Sequence, residues 1–341
     1  MEAYLPDIWL FLIAFFLLYY AVADGFDLGV GIISLFSRDD NERSLLMATL
    51  SGIWHDNQTW LVLLGGMLFG AFPLFYSLVL SSLYVPILLM LFGLVFRGVS
   101  FEFRENSVTH RHFWGISFGL GSLLIAVAQG LALGGLLGGL DIIGERFTGR
   151  VLGFFHPYSL LVTVGVVCGY MMLGANFLIM KTDGTVQRKS FRAAWRVSFL
   201  TLVISVAVHI WTVRNQPHLV ERLTTFPGNT LIPLFVGLTI ISFFMYFRAL
   251  YRRSEVAPFL WNIAVILFSF VGLSAGMYPY MIPNVISSPV TVQEAAASPE
   301  TLWFMLIVTL VLLPVILVYT AYKHRVFKGK IRESDYLPQD A

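Results

Sequence analysis

The sequence is short of charge and of sulfur ligands. Only 12% of its 341 residues are Asp, Glu, Lys or Arg, against roughly 25% in soluble domains. By contrast, 57% are hydrophobic. A water-soluble fold cannot bury that much apolar surface, so lipid must serve as the solvent. The one cysteine, Cys168, lies in an apolar run, which excludes a disulfide framework and a thiolate metal cage. There is no phosphate-binding Gly-rich loop, no paired Cys and no HExxH. The formal net charge of +2 gives no reason to expect a nucleic-acid partner. A cleavable signal peptide is not expected either. The first apolar run is longer than a signal h-region, and no basic cluster precedes it.

What is present is a series of apolar runs, each about 20 residues long. They fall roughly at 8–36, 54–72, 76–96, 113–138, 156–180, 197–213, 230–249, 259–279 and 303–322. Their length, and the need for lipid-exposed backbone to satisfy its own hydrogen bonds, predict helices rather than barrel strands. The reading is an all-α integral membrane protein, a single transmembrane domain over residues 1–341. It has about nine transmembrane helices, expected to form two four-helix bundles plus one peripheral helix. The connections 139–155 and 280–300 are the long ones, and neither is long enough to fold as a domain.

Orientation follows from the basic residues. With the N-terminus outside, the outer connections hold Arg146, Arg150, Arg214 and Arg222, and the inner connections and tail hold the other 18 of the 22 Lys and Arg. This asymmetry predicts a cytoplasmic C-terminus, since basic residues are retained on the cytoplasmic side.

Ionisable groups at membrane depth are costly, and each is a functional candidate. The first run carries Asp24 and Asp27, three residues apart on one helical face, interleaved with Gly25, Gly29 and Gly31. Small residues at such spacing permit close approach of a neighbouring helix. The second run opens with WHDNQTW, which places His55 and Asp56 at the cytoplasmic end. The third ends in FRGVSFEFR, with Arg97 and Glu102 on the same side. One membrane level thus collects Asp24, Asp27, His55, Asp56, Arg97 and Glu102. A structural reading pairs Asp27 with Arg97 and lets the rest snorkel to water. A functional reading makes the acids and imidazole a route for protons from the cytoplasm. On the first reading Asp24 has no evident partner.

His156 opens the fifth run and His209 lies near the end of the sixth, both at the outer face. Facing imidazoles could ligate a haem b, but two lone histidines in a membrane chain are more often hydrogen-bonded helix-end residues. The aromatic residues, 15% of the chain, fit interfacial belts and packing.

In order and spacing these segments resemble subunit II of the cytochrome bd quinol oxidases. The resemblance rests on DGFDLGVG in the first run and on Trp54, Asn57, Gln58, Trp60, Leu61, Gly65, Gly66, Phe69, Ala71 and Pro73 in the second. FRGVSFEFR (96–104), MYPYMIPN (277–284) and PVILVYTAY (314–322) add to it. One position departs: many relatives have an acid directly after the first Trp of the second-run motif. Here that residue is His55, and the acid, Asp56, follows it, turned by about 100° on a helix.

The resemblance implies a heterodimer in the cytoplasmic (inner) membrane of a bacterium or archaeon. A larger subunit I would carry the quinol site and ligate haem b and haem d. The complex would oxidise quinol, reduce dioxygen to water in the respiratory chain and draw its protons from the cytoplasm. A small single-span subunit, quinone and membrane lipids are further candidate partners. This chain would bind no haem, contribute no catalytic residue, support assembly, and help form proton and oxygen access routes. Two other functions compete with this one. Intramembrane acids, Gly-rich helices and a loose echo of 20–30 in 170–180, with Asn176 as an uncharged counterpart, would also suit a secondary transporter. A bis-histidine cytochrome using His156 and His209 is the other.

Overall fold

The computed structural model describes residues 2–37, 39–107, 109–215, 217–282, 289–332 and 334. Arg38 and residues 283–288, which include the end of the 277–284 segment, lie outside the described residues. A short 3-10 turn, Glu2–Tyr4, leads into α1, Leu5–Ser34. The elements α2 (Asp40–Ala48), α3 (Trp54–Ala71), α4 (Pro73–Ser82), α5 (Tyr84–Asn106) and α6 (Arg111–Gly138) follow. A two-stranded ribbon, β1 (Ile142–Ile143) with β2 (Arg146–Phe147), connects to α7 (Pro157–Lys181), α8 (Gly184–Asn215), α9 (Pro217–Thr224), α10 (Gly228–Tyr251) and α11 (Ala257–Met277). A second ribbon, β3 (Tyr280–Ile282) with β4 (Val290–Thr291), precedes α12 (Val292–Ala295) and α13 (Pro299–Val326). Among the described residues eight helices are long and apolar enough to cross a membrane, or nine if the bent pair α3–α4 counts as one span.

Helices α1, α3, α5 and α6 form one four-helix group, and α7, α8, α10 and α11 form another, with α13 lying against α3 and α1. The first helices of the two groups make the centre. Residues Ala23–Ile32 of α1 and Met172–Ile179 of α7 are buried without a break, which on a helix means neighbours on every side. The two cross where Gly29 meets Gly174. A Cβ on Gly29 would overlap the Tyr170 carbonyl, and one on Gly174 would overlap the backbone of Gly29 and Val30. Glycine is what permits this backbone contact.

The apolar run 76–96 is not one helix. It is divided at Leu83, whose backbone (φ −120°, ψ 25°) leaves the helical region, and α4 turns by 119° from α3. Proline explains both breaks. Pro73 cannot supply the N–H that would continue α3, and Pro86 falls in the first turn of α5, where a missing N–H costs nothing. Hydropathy averaged along the chain does not register such a bend. The sixth run also grows in the structure. Helix α8 starts at Gly184, and its first turns bury Ser190 and Ala194 while Arg188, Lys189, Arg192 and Arg196 lie toward the surface.

Opposite ends of the assembly are closed differently. At the N-terminal end of α1, Leu5, Trp9, Phe72, Leu83, Ile282, Val292 and Leu302 share an apolar core. There Trp9 Nε1 donates to the Leu302 carbonyl at 3.0 Å. The other end is held by cations. Arg43 donates to the Ser34 and Ser37 carbonyls and pairs with Asp40 at 2.5 Å. Arg104 donates to the Asp40 carbonyl and to Ser44.

The C-terminal segment crosses this same end. The Phe327 ring rests on Gly52 (φ +84°), where a Cβ would overlap it. Lys181 Nζ donates to the Phe327 carbonyl at 2.6 Å, and Ile331 N to the Lys181 carbonyl at 2.8 Å. Lys330 pairs with Glu255 at 2.6 Å. These contacts strap the segment across both helix groups.

Candidate functional site

The centre of the first helix group is polar, and side chains from α1, α3 and α5 build it. On α1, Asp24 and Asp27 project from the fully buried stretch, each about 1% exposed or less. Arg97 reaches in from α5, and its Nη2 donates to Asp24 Oδ1 at 2.5 Å. The ion pair expected between Arg97 and Asp27 is therefore formed with Asp24 instead. Gln58 of α3, with its amide oxygen turned inward, accepts from Arg97 Nε at 3.1 Å and also from Nη2. Asn57 Nδ2 donates to Asp27 Oδ2 at 2.9 Å.

The helical period sets this arrangement. Each residue on α3 turns the side chain by about 100°. Asn57 points inward and is fully buried, while His55 is exposed and Asp56 half-buried.

A second chain of hydrogen bonds runs from this cluster toward the membrane interior. Tyr170 of α7 donates its hydroxyl to Gln129 Oε1 of α6 at 2.5 Å, and Gln129 Nε2 donates to the Tyr20 hydroxyl at 2.7 Å. Tyr20 lies one helical turn before Asp24 and interacts with its carboxylate. The donors are thus ordered Tyr170 to Gln129 to Tyr20, toward the acid that Arg97 holds.

The group expected at one membrane level therefore separates. Asp24, Asp27 and Arg97 come together in the interior. Asp56 instead pairs with Lys323 of α13 at 2.6 Å. His55 sits edge-on to the Trp54 ring, with centroids 4.7 Å apart. Glu102 is exposed at the surface of α5. The reason is rotation: depth along the membrane normal is readable from position in a run, but the face depends on helix packing. Tyr20, Gln129 and Tyr170 were not singled out by sequence reading, although Gln129 carried a signal as a lone amide inside an apolar run.

The two histidines weighed as haem ligands each make their own local hydrogen bonds. His156 caps α7, its Nδ1 accepting from the Ser159 N–H at 3.2 Å, while the Ser159 hydroxyl accepts from the His156 N–H at 3.1 Å. His209 is exposed on α8, with Nδ1 donating to the Ser205 carbonyl at 2.7 Å. In the second helix group Asn176 is buried and accepts from the Tyr246 hydroxyl at 3.2 Å, and Tyr246 also meets Ser198 at 2.6 Å. That polar centre carries no charge.

Comparison with known proteins accords with this architecture. The chain is 28% identical to cytochrome bd-I ubiquinol oxidase subunit 2 of Escherichia coli K12, over 96% of this chain and 95% of that one. It is 27% identical to cytochrome bd ubiquinol oxidase subunit 2 of Bacillus subtilis 168, over 98% of each. In fold it matches a chain of the bd oxidase from Geobacillus thermodenitrificans. The TM-score is 0.80 at 20% identity, over 95% of this chain and 98% of that one. The profile of the family described as cytochrome bd terminal oxidase subunit II matches residues 5–327. With all but the termini spanned by that profile, the chain belongs to the cytochrome bd terminal oxidase subunit II family.

Proposed function

We propose that this protein is the second subunit of a quinol oxidase complex of the inner membrane, one that oxidises quinol and reduces dioxygen to water beside a larger subunit I. The observation that carries this reading is the full-length family match, joined to a buried polar centre in the first helix group. The protein is multi-pass, with eight or nine candidate spans among the described residues. The segregation of basic residues supports an outer N-terminus and a cytoplasmic C-terminus. The polar centre then lies toward the cytoplasmic side.

Haem supplies the redox chemistry of such a complex, and two observations support placing its ligands outside this chain. His156 accepts at Nδ1 from the Ser159 N–H, so its neutral ring carries the proton on the buried Nε2, and His209 projects outward from α8. We therefore place the ligands of haem b and haem d in subunit I. The quinol site belongs there too, and a small single-span subunit would complete the complex.

This chain's part is assembly and proton supply. Dioxygen reduction consumes protons inside a low-dielectric protein, and buried titratable groups are what can pass them. Asp27, Asn57, Asp24, Tyr20, Gln129 and Tyr170 provide a polar line from the arginine-rich end into the membrane. Asp56, His55 and Glu102 sit at its mouth.

The transporter reading finds a broken span in α3–α4. The break lies at the apolar end of α3, beside the buried Ala71, Phe72 and Leu83, and not at the acids, where an ion-binding break belongs.

The test is native purification of the complex. A larger partner, haem d absorption and quinol-driven oxygen consumption are the expected results. A colourless single-chain protein would overturn the reading.

A further inference from the structure

The polar centre holds two carboxylates and one guanidinium, all excluded from water. Burial of an unpaired charge is strongly unfavourable. One of the two acids must therefore be neutral or bear that cost. The hydrogen bonds distinguish them. Asp24 is in direct contact with Arg97 and is approached by Tyr20. Asp27 forms no ion pair among the described residues and accepts a hydrogen bond from a neutral amide, Asn57.

The unpartnered atoms point the same way. Among the described residues Asp27 Oδ1, Asn57 Oδ1, Asp24 Oδ2 and Arg97 Nη1 are all buried without a hydrogen-bond partner, and the first two are acceptors on groups already joined by one hydrogen bond. A buried acceptor left unmatched is destabilising. Asn57 Nδ2 already donates to Asp27 Oδ2. A carboxylic acid and a primary amide pair in a ring of two hydrogen bonds, one N–H to O and one O–H to O. The first is present, and the second would join the two unpartnered oxygens once a proton sits on Asp27.

We infer that Asp27 is the proton-holding acid of the cluster, paired as a neutral carboxylic acid with the Asn57 amide, and that Asp24 is a permanent anion positioned by Arg97, Tyr20 and the Gln129–Tyr170 chain.

The charged and titratable groups facing the pair are Asp24 and Tyr20 on α1, Arg97 on α5 and Tyr170 on α7. From α3 come the neutral amides Asn57 and Gln58. In this assignment Asp27 is the group that can release a proton inward and take one from the cytoplasmic side. Asp24 keeps its charge throughout. The inference rests on the proton-supply reading above only for that last role; the protonation states follow from the hydrogen bonds.

The experiment is infrared difference spectroscopy on the purified complex, following the carbonyl stretch of protonated carboxylic acids in water and deuterium oxide. The band is expected to disappear in Asp27→Asn, which should assemble with full haem content because it replaces a neutral group. Asn57→Leu should keep the band but shift it, having removed its hydrogen-bond partner. Asp24→Asn should instead lose assembly, since it strands Arg97. A band that survives Asp27→Asn would overturn the inference, as would an Asp27→Asn complex that fails to assemble while Asp24→Asn assembles normally. Oxygen consumption separates the two ideas. Loss of the band with full turnover in Asp27→Asn leaves the protonation assignment standing and removes the proton-supply role.

Discussion

Arg97 and Asp24 are 73 residues apart in sequence and meet at 2.5 Å, each with a side chain only 1% exposed. No water screens the pair, so its two members are not equally expendable. Removing one partner of a buried ion pair leaves an uncompensated charge and costs about 3–5 kcal/mol, whereas replacing both with neutral groups costs much less. Arg97→Leu is therefore expected to abolish most assembly, while the double change Arg97→Leu with Asp24→Asn recovers a large part of it. Complex yield and thermal stability in detergent measure both. Equal loss in the single and double variants would contradict the argument.

The contact between α1 and α7 makes a second expectation. A methyl at Gly29 would overlap the Tyr170 carbonyl, and separating two packed helices costs about 1–3 kcal/mol. Gly29→Ala should lower complex yield and melting temperature. Gly237→Ala on α10, with nothing near its Cβ position, serves as the control and should be neutral or slightly stabilising.

Haem content tests the histidines. His156→Ala removes a helix cap, worth about 1 kcal/mol, and His209→Ala removes an exposed ring. Neither is expected to change haem per assembled complex. Loss of one haem equivalent from either assembled variant would place an iron ligand in this chain.

Topology is testable with reporter fusions. The connection containing Arg146 and Arg150 is expected outside, and that containing Lys181, Arg188 and Lys189 inside. A phosphatase fused after Gly144 should be active and one fused after Asp183 inactive. The opposite pattern would put the buried acids at the outer side.

The C-terminal strap should respond to acid. Hydrogen bonds from Lys330 and then Gln187 hold the Glu255 carboxyl below the usual carboxylate range. A depressed acid stabilises the docked state fully above its unfolded value of about 4.3, and that contribution is lost as pH falls through the lower, folded value. A spin label on Arg332→Cys is expected to be immobile at neutral pH and to loosen as the pH falls through the lowered Glu255 value. In Glu255→Gln the mobility should no longer follow pH in that range.

The sequence by itself determined the solvent, the helices and the depth of the ionisable groups. Hydropathy is a sum over neighbouring residues, so runs such as 113–138 and the positions of Asp24, Asp27 and Arg97 within runs need no knowledge of contacts. The tertiary structure decided everything that depends on rotation and register. The acids three residues apart share a face of α1, and only the placement of α5 against it selects Asp24 for Arg97. One residue on α3 separates Asn57, buried against Asp27, from Asp56, which turns to Lys323. Gln129 is visible in the sequence as a lone amide in an apolar run, but its partners, Tyr20 and Tyr170, follow only from the packing of α6. The break at Leu83 and the tail across Gly52 likewise come from contacts distant in sequence. Composition is a local property, whereas pairing in a low-dielectric interior is set by which faces the packed helices present to one another.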